Sequence, residues 1–296
     1  LAELARWRWN RLSDTAIDTP EAMPDHGNER PETWPQGVSS CFENVPLAIA
    51  RTLPEMDDVE SVQEVRHMLL DLIGQAERFI YIENQFTTRE EIARALNKQL
   101  KAKPDLEVLI VSSYDPKGLF ETEAFWASRL AFKDIVEDGV DTDRIKMTYS
   151  SIRDQQGRLA YKRIHSKVMT IDDRYLVIGS SNLSNRSMTL DTEVDVVMFG
   201  DTDSNRKCIA FTRDDLIAEH TGRDIETTES IMGGNHIVNE LMNNQIAHGY
   251  VLTEINDEEF TEASKANIFR TISDPEEPLI PPVKGLGGKL TAITNP

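Results

Sequence analysis

The chain has 296 residues, a formal net charge of −19, 39% apolar residues and 28% charged residues. This composition is that of a globular protein with a sizeable core, and no apolar run approaches the roughly 18 residues of a membrane-spanning helix. The acidic balance argues against a nucleic-acid partner, because Lys and Arg supply most phosphate-backbone binding.

The sequence of the first 44 residues predicts the end of a preceding domain half, followed by a linker. Leu1, Leu4 and Trp7 have the spacing of an amphipathic helix. The stretch 13–40 is rich in Pro, Asp, Glu, Asn and Gly, which is typical of a loop. Because the helix has no visible beginning and the chain does not start with Met, we expect 1–44 to close a preceding half of a longer protein.

Residues 45–222 alternate between strand and helix patterns. Short runs of β-branched and aromatic residues predict strands at 45–52, 79–86, 106–113, 145–149, 164–171, 175–180 and 193–199. Apolar residues at helical spacing predict helices at 62–76, 90–102, 121–136 and 203–219. We therefore predict an α/β layered domain with a mixed or mostly parallel sheet and helices on both faces. Residues 223–296 are expected to form a C-terminal extension of short helices and irregular structure.

One stretch, 164–197, gathers the chemically capable residues. His165 and Lys167 are two residues apart, so a strand would direct both to one face. Ser180 and Asn182 have the same spacing on the next segment. Two adjacent strands would bring an imidazole, an ammonium, a hydroxyl and an amide around one point. That set suits phosphate, because it combines a nucleophile or acid–base group, a fixed cation and two neutral donors.

Two motifs carry a family resemblance. The pattern HxKx4D from His165 to Asp172, with GSxN from Gly179 to Asn182, resembles the signature of the phospholipase D superfamily. The string IYIENQF at 80–86 resembles a strand of superfamily members that act on phosphatidyl lipids.

The resemblance implies a site shared by two half-domains, whose motif histidines face each other across the scissile phosphate. One histidine attacks phosphorus to form a phosphohistidine, and the other protonates the leaving alcohol. Water or another alcohol then releases the phosphatidyl group. His165 matches the second motif, so it is expected to be the general acid and base, with the role of nucleophile left open. No metal or other cofactor is implied, because protein donors meet the phosphate charge.

The same resemblance gives roles to the neighbouring residues. Lys167 is expected to bind nonbridging phosphate oxygens, and Glu193 to accept the Nδ1–H of the motif histidine. Ser180 and Asn182 would line the phosphate pocket, and Gly179 would allow close approach of the backbone.

Three further residues belong to the motifs. Asp172 completes the HxKx4D pattern and is counted with the catalytic group, although its place at a turn predicts a structural part through hydrogen bonds. Asn84 and Gln85 either bind substrate at the mouth of the site or satisfy backbone groups at the end of their strand.

Together these features imply a bacterial phospholipase D-like phosphodiesterase, cytoplasmic or peripheral to the membrane, that hydrolyses or transphosphatidylates glycerophospholipids at a membrane surface. One alternative is a single-motif phosphodiesterase or nuclease that completes its site as a homodimer. Another is a cardiolipin synthase-like phosphatidyltransferase, and a pseudoenzyme is disfavoured by the intact motif. Only His165 has a lysine two places on. We therefore expect a missing N-terminal half or a second copy to complete the site, and the chain alone to be nearly inactive.

Overall fold

The computed structural model describes residues 2–18, 40–56, 59–114, 119–243, 245–246, 248–255 and 274–277. It divides into two compact units, Leu1–Glu43 and Asn44–Pro296. The first unit contains helix α1 (Ala2–Leu12), where a helix was predicted. Most of the predicted linker and much of the predicted C-terminal extension lie outside the described residues. The domain boundaries at 44 and 222 stay predictions.

The second unit is built on one sheet, which has ten strands in the part of the chain that the structure describes. The strands are β1 (Leu47–Leu53), β2 (Val62–Gln63), β3 (Phe79–Asn84), β4 (Glu107–Ser112), β5 (Ile145–Arg153), β6 (Leu159–Tyr161), β7 (Lys167–Ile171), β8 (Tyr175–Gly179), β9 (Glu193–Phe199) and β10 (Gly249–Glu254). Their spatial order is β10-β5-β4-β3-β7-β8-β9-β1-β2, and β6 pairs with β5.

The sheet is mixed. The pairs β3/β4 and β4/β5 are parallel, and the other pairs are antiparallel. The predicted α/β layered fold is confirmed, in its mixed form rather than its mostly parallel one. The antiparallel hairpin of β7 and β8 follows from the short turn between them, since parallel neighbours need a long crossover.

Helices cover both faces of the sheet, as predicted. They are α2 (Glu64–Ile73), α3 (Glu90–Ala102), α4 (Leu119–Glu137), α5 (Asn185–Thr189), α6 (Asp203–Thr221), α7 (Ile225–Met232) and α8 (Ile237–Asn243). Because successive strand residues point to opposite faces, Ile80 and Ile82 of β3 join the core of α2, α3 and α4. Phe79 and Tyr81 join the second core, with α6, α7 and α8.

Two departures from the prediction bear on the site. The strand expected at 164–171 begins only at Lys167, because its partner β3 ends at Asn84, directly opposite Lys167. Residues 162–166 form a loop, in which the backbone N–H of Lys162 still donates to the carbonyl of Ser150 in β5 at 2.9 Å. In the region expected to hold short helices and irregular structure, α7 and α8 form, but so does β10, which pairs with β5 at the edge of the sheet.

A short segment of the C-terminal region anchors helix α5. The carboxylate of Asp274, which is 4% exposed, accepts hydrogen bonds from the backbone N–H groups of Asn185 and Arg186, both at 2.9 Å. It also accepts one from the hydroxyl of Thr88 at 2.6 Å. This segment therefore ties the start of α5 to the loop that follows β3.

Among the described helices, none combines the length and apolar character needed to cross a membrane.

Candidate active site

Most of the predicted site residues meet at one edge of the sheet, where the central strands β3 and β8 end and β7 begins. Lys167 begins β7 opposite Asn84, the last residue of β3. Gly179 ends β8 opposite Asp195 of β9, and β8 lies between β7 and β9. The GSxN segment, 179–182, therefore leaves the sheet at the edge where Lys167 enters it.

Lys167 is half-buried and is held by neutral oxygens. Its Nζ donates to the backbone carbonyl of His165 at 2.8 Å and to Oε1 of Gln85 at 3.3 Å. Burial lowers the pKa of this ammonium, and the nearby carboxylate of Glu193 opposes the shift. In the described part of the chain no carboxylate forms an ion pair with it. Its charge is thus available to an anion at this edge.

His165 lies in the loop before β7, and its side chain is exposed. The expected strand geometry, with His165 and Lys167 on one face, does not form, because the histidine lies outside the strand. The pKa of the imidazole is lowered, mostly by the charge of Lys167 and to a smaller extent by slight burial and by the charge of Arg163. The neutral form, which can accept a proton or attack phosphorus, is therefore favoured near neutral pH.

Glu193 is 8% exposed and contacts serines rather than His165. The hydroxyl of Ser180 donates to its Oε2. Burial raises the pKa of Glu193, and hydrogen bonds from Ser180 and Ser187 partly offset this. No hydrogen bond joins Glu193 to His165 among the described residues, so its part in orienting a motif histidine stays a prediction.

Asp195 was missed by the sequence interpretation, yet it holds the GSxN segment in place. Its Oδ1 accepts from the backbone N–H of Ser180 at 3.0 Å, the N–H of Ser181 at 3.1 Å and the hydroxyl of Ser181 at 2.9 Å. A Cβ at Gly179 would lie 1.8 Å from the same oxygen. Glycine is therefore required there by the close approach of Asp195. The signal was available, because Asp195 follows Glu193 by two residues and shares its face of β9.

The two asparagines of the site differ in their surroundings. Asn84 is 3% exposed, its Nδ2 donates to the carbonyl of Ser181 at 3.1 Å, and its Oδ1 accepts from the N–H of Leu183 at 3.2 Å. It therefore satisfies backbone groups, which is one of the two roles expected for Asn84, and its substrate contact stays a prediction. Asn182 is partly exposed, and its Oδ1 is buried with no hydrogen-bond partner in the described part of the chain.

Asp172 lies at the turn after β7, at the opposite end of that strand from Lys167. Its carboxylate accepts from the backbone N–H groups of Glu77, Arg78 and Phe79 at 3.1, 2.8 and 3.0 Å. It thereby fixes the start of β3. These contacts are of the structural kind expected from its place at a turn, and its inclusion in the catalytic group stays a prediction.

A buried arginine, also missed, lies behind Gln85. Arg129 of α4 is 2% exposed, and its guanidinium donates to the carbonyls of Ser113 and Gln85 at 2.7 and 3.2 Å. Burial lowers its pKa to about 10, so it is charged at neutral pH. Among the described residues no carboxylate pairs with it. Gln85 therefore lies between two cations, Arg129 at its backbone and Lys167 at its side chain, and the predicted substrate contact of Gln85 stays a prediction.

Comparison with known families identifies related proteins. The family described as "Cardiolipin synthase, PLD-like domain" matches residues 69–214. A cardiolipin synthase of Geobacillus sp. (strain WCH70) is 30% identical over 164 residues, covering 55% of this chain and 28% of that protein. Phospholipase D alpha 4 of Arabidopsis thaliana is 26% identical over 215 residues, covering 52% of this chain and 28% of that protein. The chain thus spans well under a third of the length of these relatives.

Among solved structures, the phosphatidylserine synthase of Haemophilus influenzae Rd KW20 superposes with a TM-score of 0.44 at 16% identity. The alignment covers 67% of this chain and 44% of that one.

Proposed function

The chain belongs to the phospholipase D superfamily of phosphodiesterases and phosphatidyltransferases, and on this premise we propose that the full-length protein is a cardiolipin synthase-like phosphatidyltransferase. It would transfer a phosphatidyl group from one glycerophospholipid to the hydroxyl of another lipid. The observation that carries the proposal is the pairing of Lys167, whose ammonium has only neutral partners among the described residues, with the exposed imidazole of His165 two residues away. The similarity to cardiolipin synthases favours transfer over hydrolysis.

In the proposed reaction, Lys167 binds the nonbridging oxygens of the phosphodiester as a point charge. The amide of Asn182 is the second donor at this edge. The hydroxyl of Ser180 donates to Glu193 and accepts from the N–H of Val194 at 3.1 Å, so its proton reaches phosphate only if that bond to Glu193 opens. In this proposal Lys167 and the amide nitrogen of Asn182 therefore bind the phosphate.

The bond changes need two histidines. An imidazole nitrogen attacks phosphorus, the bond from phosphorus to the leaving alcohol breaks, and a second imidazolium gives its proton to that alcohol. The second histidine then takes the proton of the acceptor hydroxyl, whose oxygen attacks phosphorus and breaks the P–N bond. We propose His165 as the acid and base of this pair; the first step uses its protonated form, and the neutral form that this step leaves takes the proton of the acceptor hydroxyl. Its partner would come from a preceding half of the protein or from a second copy.

Hydrolysis is the second candidate, with water as the acceptor. The match to a phospholipase D over 215 residues supports it, as does the IYIENQF strand, whose Asn84 and Gln85 flank Lys167. Both candidates use the same residues and differ only in which hydroxyl attacks the phosphohistidine.

The test is to incubate the full-length protein with phosphatidylglycerol vesicles and to quantify products by mass spectrometry. We expect cardiolipin and glycerol, with a loss of about 10²–10⁴-fold in rate for His165→Asn. His67→Asn, at an exposed histidine of α2, is the matched control and should keep the wild-type rate. Phosphatidic acid as the sole lipid product would favour hydrolysis instead. Full turnover by His165→Asn would overturn both candidates.

A further inference from the structure

A buried polar cluster lies beneath the loop that carries His165. Its members are Tyr81 and Glu83 of β3, Ser166 of the loop and His220 of α6. The hydroxyl of Ser166 donates to Oε1 of Glu83, and the hydroxyl of Tyr81 donates to Oε2 at 3.0 Å. The Nε2 atom of His220 lies 3.3 Å from the same Oε2. Glu83 and His220 are 5% and 3% exposed.

The position of Glu83 follows from the alternation of β3. Tyr81 lies in the core beneath α6, α7 and α8, and Glu83, two residues on, points to the same face. A carboxylate in such surroundings is stable only when it is paired and hydrogen-bonded. Burial raises the pKa of Glu83, but the contacts with His220, Ser166 and Tyr81 outweigh it, so that the pKa lies below its ordinary value. Glu83 is therefore a charged acceptor at neutral pH.

The loop 162–166 depends on this cluster for its position. It lies outside the strands, and Ser166 lies directly between His165 and Lys167. A second tie lies at its other end, where Nζ of Lys162 contacts Oε1 of Glu219 at 2.7 Å. Glu219 and His220 are adjacent in the last turn of α6. The end of α6 therefore holds the loop directly through Glu219 before the histidine, and through the contact of His220 with Glu83 after it.

We propose that Glu83, supported by His220, is a positioning residue that orients His165 through the hydroxyl of Ser166. The middle residue of the HxK motif then has a defined part, which is to attach the loop to a buried carboxylate. This inference rests on the proposed function, because His165 must act on the substrate for its orientation to affect the rate. A displacement of about 1 Å at a reacting group can lower a rate by about 10²-fold.

The experiment compares two substitutions of Ser166 in the full-length protein. Ser166→Ala removes the hydroxyl from a partly exposed loop residue, and we expect kcat to fall by about 10-fold or more while KM is unchanged. Ser166→Thr restores the hydroxyl and should recover most of kcat. Ser204→Ala, at an exposed serine in the first turn of α6, is the control. Wild-type kcat in Ser166→Ala, or equal losses in the Ala and Thr variants, would overturn the inference.

A second measurement separates this inference from the proposed function. Hydrogen exchange of the amides of 163–168 reports the order of the loop without any substrate. We expect faster exchange there in Ser166→Ala and in Glu83→Gln, with exchange in β4 and β5 unchanged. If His165→Asn is inactive but loop exchange and kcat are unaffected in Ser166→Ala, the positioning role alone fails. If His165→Asn is fully active while loop exchange increases in Ser166→Ala, the proposed function fails and the attachment of the loop stands.

Discussion

The loop that carries His165 and the GSxN segment each lie over a buried carboxylate, but the two carboxylates are stabilised differently. Beneath the GSxN segment, Asp195 accepts from two backbone N–H groups and one hydroxyl, all neutral donors within 15 residues of it in sequence. Beneath loop 162–166, Glu83 accepts from the hydroxyl of Ser166, 83 residues away, and contacts the imidazole of His220.

The pKa shifts of the two carboxyl groups have opposite directions. Burial raises the pKa of Asp195, and the donors of Ser181 and Ser180 offset it only in part. Burial also raises the pKa of Glu83, but the contacts with His220 and the two hydroxyl groups outweigh burial, so that the pKa is lowered. Backbone amides thus fix the GSxN segment as part of the sheet edge. Side chains from distant elements fix the loop of His165, which makes its position more sensitive to single substitutions.

The largest effect is expected from removing the acceptor that holds the GSxN segment. Asp195→Ala leaves the backbone N–H and the hydroxyl of the buried Ser181 without their partner, while the N–H of Ser180 keeps the carbonyl of Val194 at 3.2 Å. Each buried unpaired group costs about 1–3 kcal/mol. We expect the free energy of unfolding in urea to fall by about 3 kcal/mol or more. Asp191→Ala breaks only an exposed ion pair with Arg186 and should cost at most about 1 kcal/mol. Equal losses in the two variants would refute the anchoring role of Asp195.

The two carboxylates should contribute to the pH dependence of stability with opposite signs. The pKa of Glu83 is lowered on folding, so its stabilisation is full above the unfolded value, about 4.3, and is lost as pH falls through the lower folded value. The pKa of Asp195 is raised, so its relative stabilisation is full below about 3.9 and is lost as pH rises through the higher folded value. The free energy of unfolding of wild type minus that of Glu83→Gln should therefore fall on acidification. The same difference between wild type and Asp195→Asn should rise.

This contrast is measured by denaturant unfolding of the three proteins across the acid range. The two variants serve as controls for each other, since each removes one titrating carboxyl from the same sheet. A difference from wild type that changes in the same direction with pH for both variants would contradict the assignment.

The smallest effect concerns charge coupling within the HxK motif. Because Lys167 is the main cause of the lowered pKa of His165, Lys167→Met should raise that pKa toward its ordinary value. Titration of the His165 ring signals by NMR measures the shift. Lys207→Met makes the same change in net charge at an exposed position of α6 and should leave the titration unchanged. A lower or constant pKa in Lys167→Met would contradict the coupling.

The fold was largely predictable because its central strands and helices have strong apolar patterns. Helix α3 and strand β9 were predicted with their observed bounds, 90–102 and 193–199. Strand β10 was missed because it belongs to a region without clear periodicity, and its pairing with β5 depends on tertiary contacts. The strand at 164–171 was predicted too long, because its apolar pattern continues past the end of its partner β3.

The candidate site was predicted through its motifs, and the supporting residues were not. Lys167 and Ser180 were expected at one place and lie at one edge of the sheet. Glu83 belongs to the IYIENQF motif, yet its contact with His220 joins strand β3 to helix α6. No local sequence pattern reveals such a pairing. Arg129 likewise lies in an ordinary helical pattern, and only its burial distinguishes it from a surface arginine.

The anchoring of α5 by Asp274 has a consequence for the order of folding during synthesis. The Asp274 carboxylate joins the start of α5, 88 and 89 residues earlier, to Thr88, 186 residues earlier. Contacts of such long sequence separation form late, because the chain entropy must be lost before they stabilise anything. The GSxN segment leads directly into α5. Until residue 274 has left the ribosome, a nascent chain can therefore contain both motifs in sequence while the helix that follows the GSxN segment still lacks this attachment.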